Sequence, residues 1–474
     1  MVMLDSFDIM QEKIKEIFEQ QRAHSLILRN TSLKERKEKL KKLKILIQEN
    51  EHLIFDALKK DLRKSEFEAA LTEVYFVYAE IDFALKHLAS WMKPKRVSAS
   101  MSSLLTKNRI YYEPKGVSLI IAPWNYPFQL LIAPLISAIA AGNTAMLKPS
   151  ELSSATAQLA TKLINNHFEN KEVACFEGDA SLSETLLKLP FDHIFFTGSP
   201  KIGKIVMEAA AKHLSSVTLE LGGKSPVIIA EDANLEKAAE KIVWGKFMNA
   251  GQTCIAPDYV LVSVNQETEL LRLVSEKIDQ LYFKKQLLDL SSYGKIISDT
   301  HYNRLKNLRD NAIAEGALLI KGGANSDENN TLEPTILSKV PLSSSLMQEE
   351  IFGPILPILA YSNLQEAINL VNQRAKPLAL YIFSKSKALV ENVIRQTSAG
   401  GTCVNDVVLH ISNPNLPFGG IGNSGTGSCH GFYGFKAFSH ERGVMFQSNP
   451  DFNKLAYPPY ENKKGLLKWL KKIL

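Results

Sequence analysis

From residue 116 onward, short runs rich in β-branched and aromatic residues alternate with segments that have helical spacing. The runs are GVSLIIA (116–122), AMLK (145–148), VACFEG (173–178), HIFFTG (193–198), SVTLELGG (216–223) and PVIIA (226–230). Between several of them lie helix-like segments such as ATAQLATKLIN and SPKIGKIVMEAAAKH. Alternation of this kind predicts parallel strands with helices on both faces of the sheet. The predicted fold class is therefore α/β.

A second α/β series begins near Gly223 and extends to about Phe418. It contains the runs YVLVSV (259–264), ALLIKGG (317–323) and ILPILAY (355–361). Residues 8 to about 95 are predicted to be helical, with Ser32 and Glu35 forming a capping box before a lysine-rich helix. We therefore predict two α/β lobes with a helical N-terminal region.

Residues 116–147 form a stretch without any charged side chain. This stretch is long enough to span a bilayer. The stretch is interrupted by three prolines, Pro123, Pro127 and Pro134. It also contains amide side chains that would be costly in lipid, those of Asn125, Gln129 and Asn143. A buried strand, an ordered turn and a buried helix are the favoured interpretation.

Composition excludes several classes of function. The net charge of +6 is spread over 474 residues, which does not favour nucleic-acid binding. The cysteines Cys175, Cys254, Cys403 and Cys429 are far apart, so neither a zinc site nor a disulfide framework is expected. The N-terminus lacks the apolar core of a signal peptide, so a reducing cytoplasm is the default location.

Cys254 lies in WGKFMNAGQTCIAPDYV (244–260), after a Gly-Gln-Thr turn and before Pro257. A cysteine on such a loop can be exposed and polarised by backbone N–H groups, which predicts a lowered thiol pKa. The alternative is a buried structural cysteine, and Cys175 and Cys403 fit that alternative because each lies in a strand-like run.

Glu220 ends an apolar strand run and precedes two glycines, where α/β enzymes place their ligands. An apolar setting would raise its pKa and suit it to general-base catalysis, whereas the alternative is a strand-end ion pair. The turn from Gly198 to Gly203 opens a helix whose amides can bind phosphate. Lys148 and Glu151 follow another strand, where they can reach ribose hydroxyls.

Seven motifs together resemble the aldehyde dehydrogenase superfamily. PWNYPF (123–128), LKPSE (147–151), FTGS, LELGGKSP, GQTC, EEIFGP (349–354) and LPFGGIGNSG (416–425) occur in the order and spacing of that family. The separation of 254 − 220 = 34 residues between the glutamate and the cysteine also agrees. The resemblance covers about residues 15–445. WGKFMNAGQTCIAPDY and NSGTGSCHGFYGF are most similar to the class 3 branch, which includes enzymes for aromatic and fatty aldehydes.

The resemblance implies a catalytic set. Cys254 would be the nucleophile that attacks the aldehyde carbonyl, and Asn125 with the Cys254 N–H would hold the oxyanion. The resulting thiohemiacetal would lose hydride and become a thioester, and Glu220 would activate the water that hydrolyses it. Tyr126 and Trp244 would line an aromatic substrate tunnel that suits apolar aldehydes.

The resemblance also implies a cofactor site for NAD, with NADP accepted, and no metal. Lys148 and Glu151 match residues that contact the adenosine ribose, and Glu350 matches the ligand of the nicotinamide ribose. Glu151 favours NAD because a carboxylate repels a 2′-phosphate. The remaining predicted cofactor-binding residues are Pro123, Trp124, Thr197, Gly198, Ser199, Gly203 and Phe352. No role is assigned to Cys429 or His430.

The implied fold has two Rossmann-like lobes, one cofactor-binding and one catalytic, and a small oligomerisation arm. Residues 1–98 and 114–221 are assigned to the cofactor-binding domain, 222–418 to the catalytic domain, and 99–113 and 419–450 to the arm. A homodimer is expected from the class, with the run 443–448 and the segment before Glu113 as candidate crossing arms. The tail, 451–474, ends in a basic amphipathic pattern, GLLKWLKKIL (465–474). That pattern leaves two alternatives, peripheral binding to anionic lipid or packing on the protein or a partner subunit.

Two other functions stay open at this point. A CoA-acylating dehydrogenase would release the acyl group to CoA, but Glu220 would then be unnecessary as a hydrolytic base. A structural relic would keep the fold without activity, but the retention of Cys254, Glu220 and Asn125 argues against it. The physiological aldehyde is not determined by the sequence.

Overall fold

The computed structural model of the chain describes residues 6–100, 103 and 106–447, and in the C-terminal segment residues 454, 457–461, 463, 465, 467 and 471. The helices are α1 (Ser6–Leu28), α2 (Leu33–Glu49), α3 (Glu51–Leu62), α4 (Glu66–Ala69), α5 (Tyr75–Trp91), α6 (Gln129–Ala141), α7 (Ser154–His167), α8 (Ala180–Leu187), α9 (Pro200–Ala211), α10 (Leu235–Phe247), α11 (Glu267–Tyr282), α12 (Asp299–Ala314), α13 (Ser345–Gln348), α14 (Leu364–Asn372), α15 (Lys387–Gln396) and α16 (Gly431–Ala437).

The strands are β1 (Lys95–Val97), β2 (Lys107–Pro114), β3 (Val117–Ile121), β4 (Thr144–Lys148), β5 (Val173–Cys175), β6 (His193–Gly198), β7 (Ser216–Leu221), β8 (Pro226–Ile229), β9 (Tyr259–Ser263), β10 (Phe283–Lys284), β11 (Leu287–Leu288), β12 (Leu318–Lys321), β13 (Asn325–Ser326), β14 (Thr331–Leu332), β15 (Thr335–Ser338), β16 (Ile355–Tyr361), β17 (Ala379–Phe383), β18 (Gly401–Val404), β19 (Gly425–Thr426) and β20 (Ser439–Phe446).

The N-terminal region is helical, as the sequence predicts. Ser32 and Glu35 form the predicted capping box at the start of α2, with each side chain accepting a hydrogen bond from the other residue's backbone N–H. The buried face of α2 contains Leu40, Leu43 and Ile47, and its lysines lie on the other faces. A single π-helical turn, Ala70–Val74, separates α4 from α5.

The first sheet has six strands in the order β19-β7-β6-β3-β4-β5. The strands from β3 to β7 are parallel, and β19 joins from the far end of the chain antiparallel to β7. The uncharged stretch 116–147 forms β3, a turn and α6, all of them buried, with Pro134 inside the helix. In the described part of the chain, no helix combines the length and the apolarity needed to cross a bilayer.

The second sheet has seven strands in the order β12-β15-β16-β9-β8-β17-β18. Its strands are parallel except β12, which pairs antiparallel with β15. Helices flank both sheets, so the predicted α/β fold with two Rossmann-like lobes is confirmed. Parallel strands buried on both faces explain why the sequence runs are almost continuously apolar.

A third, antiparallel sheet has the order β1-β2-β20. It pairs two strands that precede β3 in the sequence with β20, which follows α16. Most of β20 is exposed and it forms an edge of this sheet. The predicted arm, 99–113 and 419–450, thus supplies β2 and β20, but β19 belongs to the first sheet and α16 packs on α5 and α6. The domain boundaries stay a prediction. Most of the predicted helix at 465–474 lies outside the described residues.

Candidate active site

The carboxyl ends of β3, β6 and β7 meet at one edge of the first sheet. In the strand register, Thr197 lies opposite Glu220, and Gly198 lies opposite Leu221. Asn125 follows β3 in the turn before α6. Because parallel strands end at the same edge, side chains far apart in sequence are brought together here. Cys254 reaches this edge from the second lobe, on the loop between a 3₁₀ turn at Met248–Gly251 and β9.

Two cavities meet at Cys254. One is an apolar tunnel of about 1170 Å³, including the part open to solvent. The other is a more polar cleft of about 770 Å³, which shares several lining residues with the tunnel. Both are lined by Cys254, Glu220, Leu221, Leu130 and Thr197. The cysteine and the glutamate therefore face the point where the two cavities join.

The tunnel has a wall of large apolar side chains from several elements. Tyr126 and Trp244 line it, in agreement with their predicted position. The Tyr126 hydroxyl is 2.6 Å from Thr253 Oγ1, next to Cys254. Further out, the wall is formed by Leu71, Thr72, Phe76, Leu409, Ile411 and Phe418. Such a wall suits an apolar ligand.

The Cys254 thiol differs from the sequence prediction in its pKa. Burial, together with the carboxyl groups of Glu350 and Glu220, raises this pKa to about 12. The backbone amides of Cys254 and Ile255 lower the pKa, as predicted, but their effect is smaller. The expectation of a lowered thiol pKa is therefore wrong, because the loop packs into the junction instead of projecting into solvent.

Glu220 has the character predicted from its position. It is 5% exposed, and neither carboxylate oxygen has a hydrogen-bond partner of ordinary geometry. Burial raises its pKa well above the usual carboxyl range, and the nearby Cys429 thiol lowers it slightly. The alternative of a strand-end ion pair does not fit, since no cation faces this carboxyl group among the described residues.

Asn125 is buried, and its side-chain amide is held in place. Asn125 Nδ2 donates to the carbonyl oxygen of Gln252 at 3.0 Å, two residues before Cys254. An asparagine NH₂ group has two hydrogens, so the second is left for a ligand. The residue lines the cleft beside Cys254. This arrangement can donate a hydrogen bond to an oxygen bound near the thiol.

Most of the predicted cofactor residues line the cleft. They are Pro123, Trp124, Thr197, Gly198, Ser199, Glu350 and Phe352. The Trp124 ring lies 5.3 Å from the Phe352 ring and 4.9 Å from the His301 ring, centroid to centroid. His301 and Arg304, from α12, also line the cleft and were not found by sequence reasoning. The sequence gives little indication of their position, because a His and an Arg one turn apart occur on the exposed faces of many helices.

Lys148, Glu151 and Gly203 are not among the residues that line this cleft. Lys148 ends β4, and its Nζ is 2.5 Å from Glu151 Oε2. Gly203 lies in the first turn of α9, where a Cβ would come within 2.7 Å of the Leu221 side chain. The Ser199 hydroxyl caps the same helix by accepting from Ile202 N.

Cys429 and His430, which had no predicted role, belong to the tunnel wall. Cys429 is buried, and the negative charges of Glu220 and Glu80 add to burial in raising its pKa well above the usual range. His430 Nδ1 is 3.8 Å from Glu80 Oε1, and burial lowers its pKa. Nothing in the local sequence links residue 429 to residue 220; β19 brings the two segments together.

Cys175 and Cys403 lie in strands, β5 and β18, as predicted; Cys175 is buried, whereas Cys403 is only partly buried. Within the described ranges, no group of three or more His, Cys, Asp or Glu side chains is arranged to hold a metal ion.

Comparisons with known proteins agree with this geometry. The profile of the aldehyde dehydrogenase family matches residues 3–444. The chain is 46% identical over 436 residues to 4,4'-diaponeurosporen-aldehyde dehydrogenase from Staphylococcus aureus, covering 92% of this chain and 94% of that protein. It is 43% identical over 448 residues to aldehyde dehydrogenase family 3 member A2 from Pongo abelii, covering 94% and 91%.

Two solved structures are similar over almost the whole fold. The substrate-bound state of AldH from Staphylococcus aureus has a TM-score of 0.92 at 43% identity, covering 97% of this chain and 99% of that one. A cysteine-to-alanine mutant of aldehyde dehydrogenase C from Pseudomonas syringae, complexed with NAD+ and octanal, has a TM-score of 0.84 at 28% identity, covering 93% and 90%. The family profile and the similar relatives show that the chain belongs to the aldehyde dehydrogenase family.

Proposed function

We propose that this protein oxidises an apolar aldehyde, aliphatic of medium or long chain or aromatic, to the carboxylic acid with NAD or NADP as hydride acceptor. The observation that carries the proposal is the position of Cys254 and Glu220 at the junction of an apolar tunnel and a polar cleft. An aldehyde in the tunnel and a nicotinamide in the cleft would both reach the thiol from opposite sides.

Cys254 supplies the nucleophile. Its thiolate, the deprotonated form of the thiol, adds to the aldehyde carbonyl and forms a thiohemiacetal, whose oxygen takes the negative charge. The second amide hydrogen of Asn125 and the backbone N–H of Cys254 donate to that oxygen. Loss of hydride from the same carbon leaves a thioester on Cys254. The surrounding side chains exclude bulk water, which strengthens these hydrogen bonds.

Glu220 completes the reaction as general base. Its buried carboxylate accepts a proton from a water molecule, which adds to the thioester carbon, and the acid leaves as the thiolate of Cys254 is restored. The raised pKa of Glu220 makes its carboxylate a stronger proton acceptor than an exposed glutamate. The carboxyl group has no competing hydrogen-bond donor of ordinary geometry among the described residues.

The residues of the cleft fit a dinucleotide cofactor. The hydroxyl of Thr197 has no partner among the described residues in its buried position, and the carboxyl group of Glu350 lies directly against Gly222, where a side chain would displace it. Trp124 and Phe352 offer aromatic faces for a nicotinamide ring, and Glu350 offers a ribose its carboxylate. When bound there, the oxidised nicotinamide supplies the hydride acceptor. The NAD+ complex of the Pseudomonas relative supports this assignment.

The substrate class follows from the tunnel. Its wall is formed mainly by large apolar and aromatic side chains, and its charged or titratable members include Glu220 and His430. The aldehyde in the name of one relative, 4,4'-diaponeurosporen-aldehyde, and the octanal in complex with another are apolar as well. We therefore place this chain in the class 3 branch, which the family 3 relative supports.

The test is the appearance of reduced cofactor at 340 nm with NAD or NADP and benzaldehyde, hexanal, dodecanal or a hydroxycinnamaldehyde. Turnover by the native chain and none by Cys254→Ala, with a carboxylic acid as product, would support the proposal. Turnover that requires CoA and yields an acyl-CoA would replace it with the acylating reaction. Cofactor binding without turnover of any aldehyde on a folded protein would favour a catalytically silent relic.

A further inference from the structure

Lys64 is an ammonium group buried in the protein interior close to the candidate oxyanion site. It is 1% exposed, and it follows α3 at the point where the chain turns into α4. The mechanism above does not use it. A buried lysine is expensive unless its charge is paired and its hydrogens are all donated. The contacts of Lys64 therefore show what it holds in place.

The ammonium group of Lys64 has three contacts. Its Nζ is 2.5 Å from Glu73 Oε1 and 3.0 Å from the carbonyl oxygen of Asn125. It also lies 3.9 Å from the centroid of the Tyr126 ring. Two hydrogens are donated to oxygen, and the third points to an aromatic face. Lys64 thus grips the peptide between the predicted oxyanion donor and a residue of the tunnel wall.

Glu73 anchors the opposite side of this cluster. Its Oε2 accepts from the backbone N–H groups of Phe128 and Gln129, at 3.1 and 2.8 Å, at the start of α6. A carboxylate at a helix N-terminus satisfies otherwise unpaired donors. Glu73 itself lies in the π-helical turn Ala70–Val74. The ion pair therefore fixes both ends of the turn that runs from Asn125 to α6.

The carbonyl oxygen of Asn125 has a second donor from the cysteine loop. Asn249 Nδ2 donates to it at 2.8 Å, and Glu68 Oε1 accepts from Asn249 N at 2.8 Å. Both lone pairs of this carbonyl are thereby occupied. The peptide cannot rotate without breaking two buried hydrogen bonds, so the Asn125 side chain is held toward Cys254.

We propose that Lys64 is a positioning residue for the oxyanion site, acting through the Asn125 peptide. The inference rests on the proposed function, since it assumes that Asn125 donates to the reacting oxygen. Preorganised donors contribute most to such catalysis, and a displacement of about 1 Å can cost about 100-fold in rate. Lys64 lines neither the tunnel nor the cleft, so its effect on the reaction is indirect.

The test uses the full chain with Lys64→Met combined with Glu73→Gln, because the single change would leave a buried carboxylate without its cation. Glutamine keeps an oxygen for the N–H groups of Phe128 and Gln129. The double variant is made in the native background and in Asn125→Ala, which keeps the carbonyl that Lys64 holds but removes the amide. Two rates are measured: aldehyde oxidation, and hydrolysis of 4-nitrophenyl acetate without cofactor.

We expect Asn125→Ala to lower ester hydrolysis by about 100-fold or more, as for other oxyanion donors. The Lys64/Glu73 double variant should lower it by about tenfold in the native background and by less than about twofold when the Asn125 amide is absent, since coupled residues are not additive. An equal tenfold loss in both backgrounds would overturn the inference, as would an unchanged rate in the native background. If Asn125→Ala itself has no effect, the inference also fails.

Arg36→Met is the matched control. Arg36 is another buried cation that donates to backbone carbonyls, at 3.1 Å to Ala140 and 2.8 Å to Ala141, but at the far end of α6. It should lower the melting temperature and leave both rates unchanged. If the double variant does not fold, Glu73→Gln alone weakens the grip on Lys64 and is measured in the same two backgrounds. Ester hydrolysis without any aldehyde oxidation would refute the proposed function while the Lys64 test still stands.

Discussion

At the scale of single residues, the thiol of Cys254 is held in a site that disfavours its charged form. Burial and the carboxyl groups of Glu350 and Glu220 raise its pKa to about 12. Since only the thiolate reacts, we expect the alkylation of Cys254 by iodoacetamide to accelerate about tenfold per pH unit between pH 7 and 10. Mass spectrometry of the labelled peptide measures the rate. A plateau below pH 9 would contradict the raised pKa.

This raised pKa changes the meaning of a simple labelling experiment. Slow reaction of Cys254 at neutral pH follows from its surroundings and is no sign of a relic. A relic is distinguished instead by the absence of turnover on a folded, cofactor-binding protein.

Glu220→Gln tests the general base directly. The substitution keeps the shape of the side chain, so acylation of Cys254 should proceed and release one equivalent of reduced cofactor. Hydrolysis of the thioester should then fall by about 10²–10⁴-fold. Stopped-flow absorbance at 340 nm should show a burst followed by a slow steady state. A variant with neither burst nor turnover would mean that Glu220 acts before hydrolysis.

The pH profile of the native enzyme shows whether hydrolysis of the thioester rises or falls with pH. Glu220 accepts a proton only as a carboxylate, and burial raises its pKa above the usual range. Hydrolysis should therefore increase as the pH rises through that pKa, and the dependence should disappear in Glu220→Gln. Glu172→Gln is the control, because Glu172 pairs with Lys39 and lines neither cavity, so its substitution should leave the profile unchanged.

At the scale of elements, α7 is capped from another helix. Ser153, at its N-cap, makes no side-chain capping bond, whereas the carboxyl group of Asp61 in α3 accepts from Ala155 N and Thr156 N at 3.0 and 2.8 Å. Asp61→Ala leaves these donors unpaired and should reduce the free energy of unfolding by about 1–3 kcal/mol. Urea denaturation measures the loss. Activity per folded molecule should not change, and a parallel fall in kcat would contradict this purely structural role.

The same scale shows which parts of the fold the sequence predicts. The runs at 116–122, 193–198 and 259–264 form strands within a residue or two of their predicted ends, because hydrophobic periodicity and turn residues are local signals. The β19 pairing with β7 was missed, since a two-residue strand has no periodicity. The capping box at Ser32 was found because both of its partners lie within one turn.

The residues of the site can also be divided into those indicated by local sequence and those that depend on distant contacts. Sequence motifs pointed to Cys254 and Glu220, and the structure has these two residues and Tyr126 and Trp244 in the wall of one cavity. The sequence did not indicate the contacts of Lys64 and Cys429, because their partners are distant: Asn125 is 61 residues from Lys64, and Glu220 is 429 − 220 = 209 residues from Cys429. In the sequence, Lys64 resembles a surface lysine, because only the folded chain removes it from water.

At the scale of the whole molecule, the tunnel is built from helices and loops of both lobes and from strands of the first sheet, so its length sets the substrate range. Each buried methylene contributes about 0.8 kcal/mol, which predicts that kcat/KM for straight-chain aldehydes rises about fourfold per carbon until the chain reaches the mouth. A series from butanal to dodecanal measures this. Leu409→Glu, at the partly exposed wall, should penalise dodecanal and spare butanal. A flat series would mean that short aldehydes are the substrates.

We also propose that the three-stranded sheet is the dimer contact, as the class suggests. β20 is an exposed edge strand, and Met445 and Phe446 on it are 57% and 44% exposed. Unpaired strand edges favour pairing with another chain. Native protein should elute as a dimer in light-scattering chromatography, and Met445→Asp with Phe446→Asp should shift it toward the monomer. A monomeric native chain, or a dimer that survives both changes, would refute this assignment.

The pairing of β19 with β7 also has a consequence for folding during synthesis on the ribosome. Its pairing joins Gly425 to Glu220, a span of 425 − 220 = 205 residues. At synthesis rates of about 5–20 residues per second, the strand that bears Glu220 waits roughly 10–40 s for its neighbour to emerge from the ribosome. During that interval the first lobe has an open edge beside the future site. A product that stops before Gly425 would keep this edge open and expose it to aggregation.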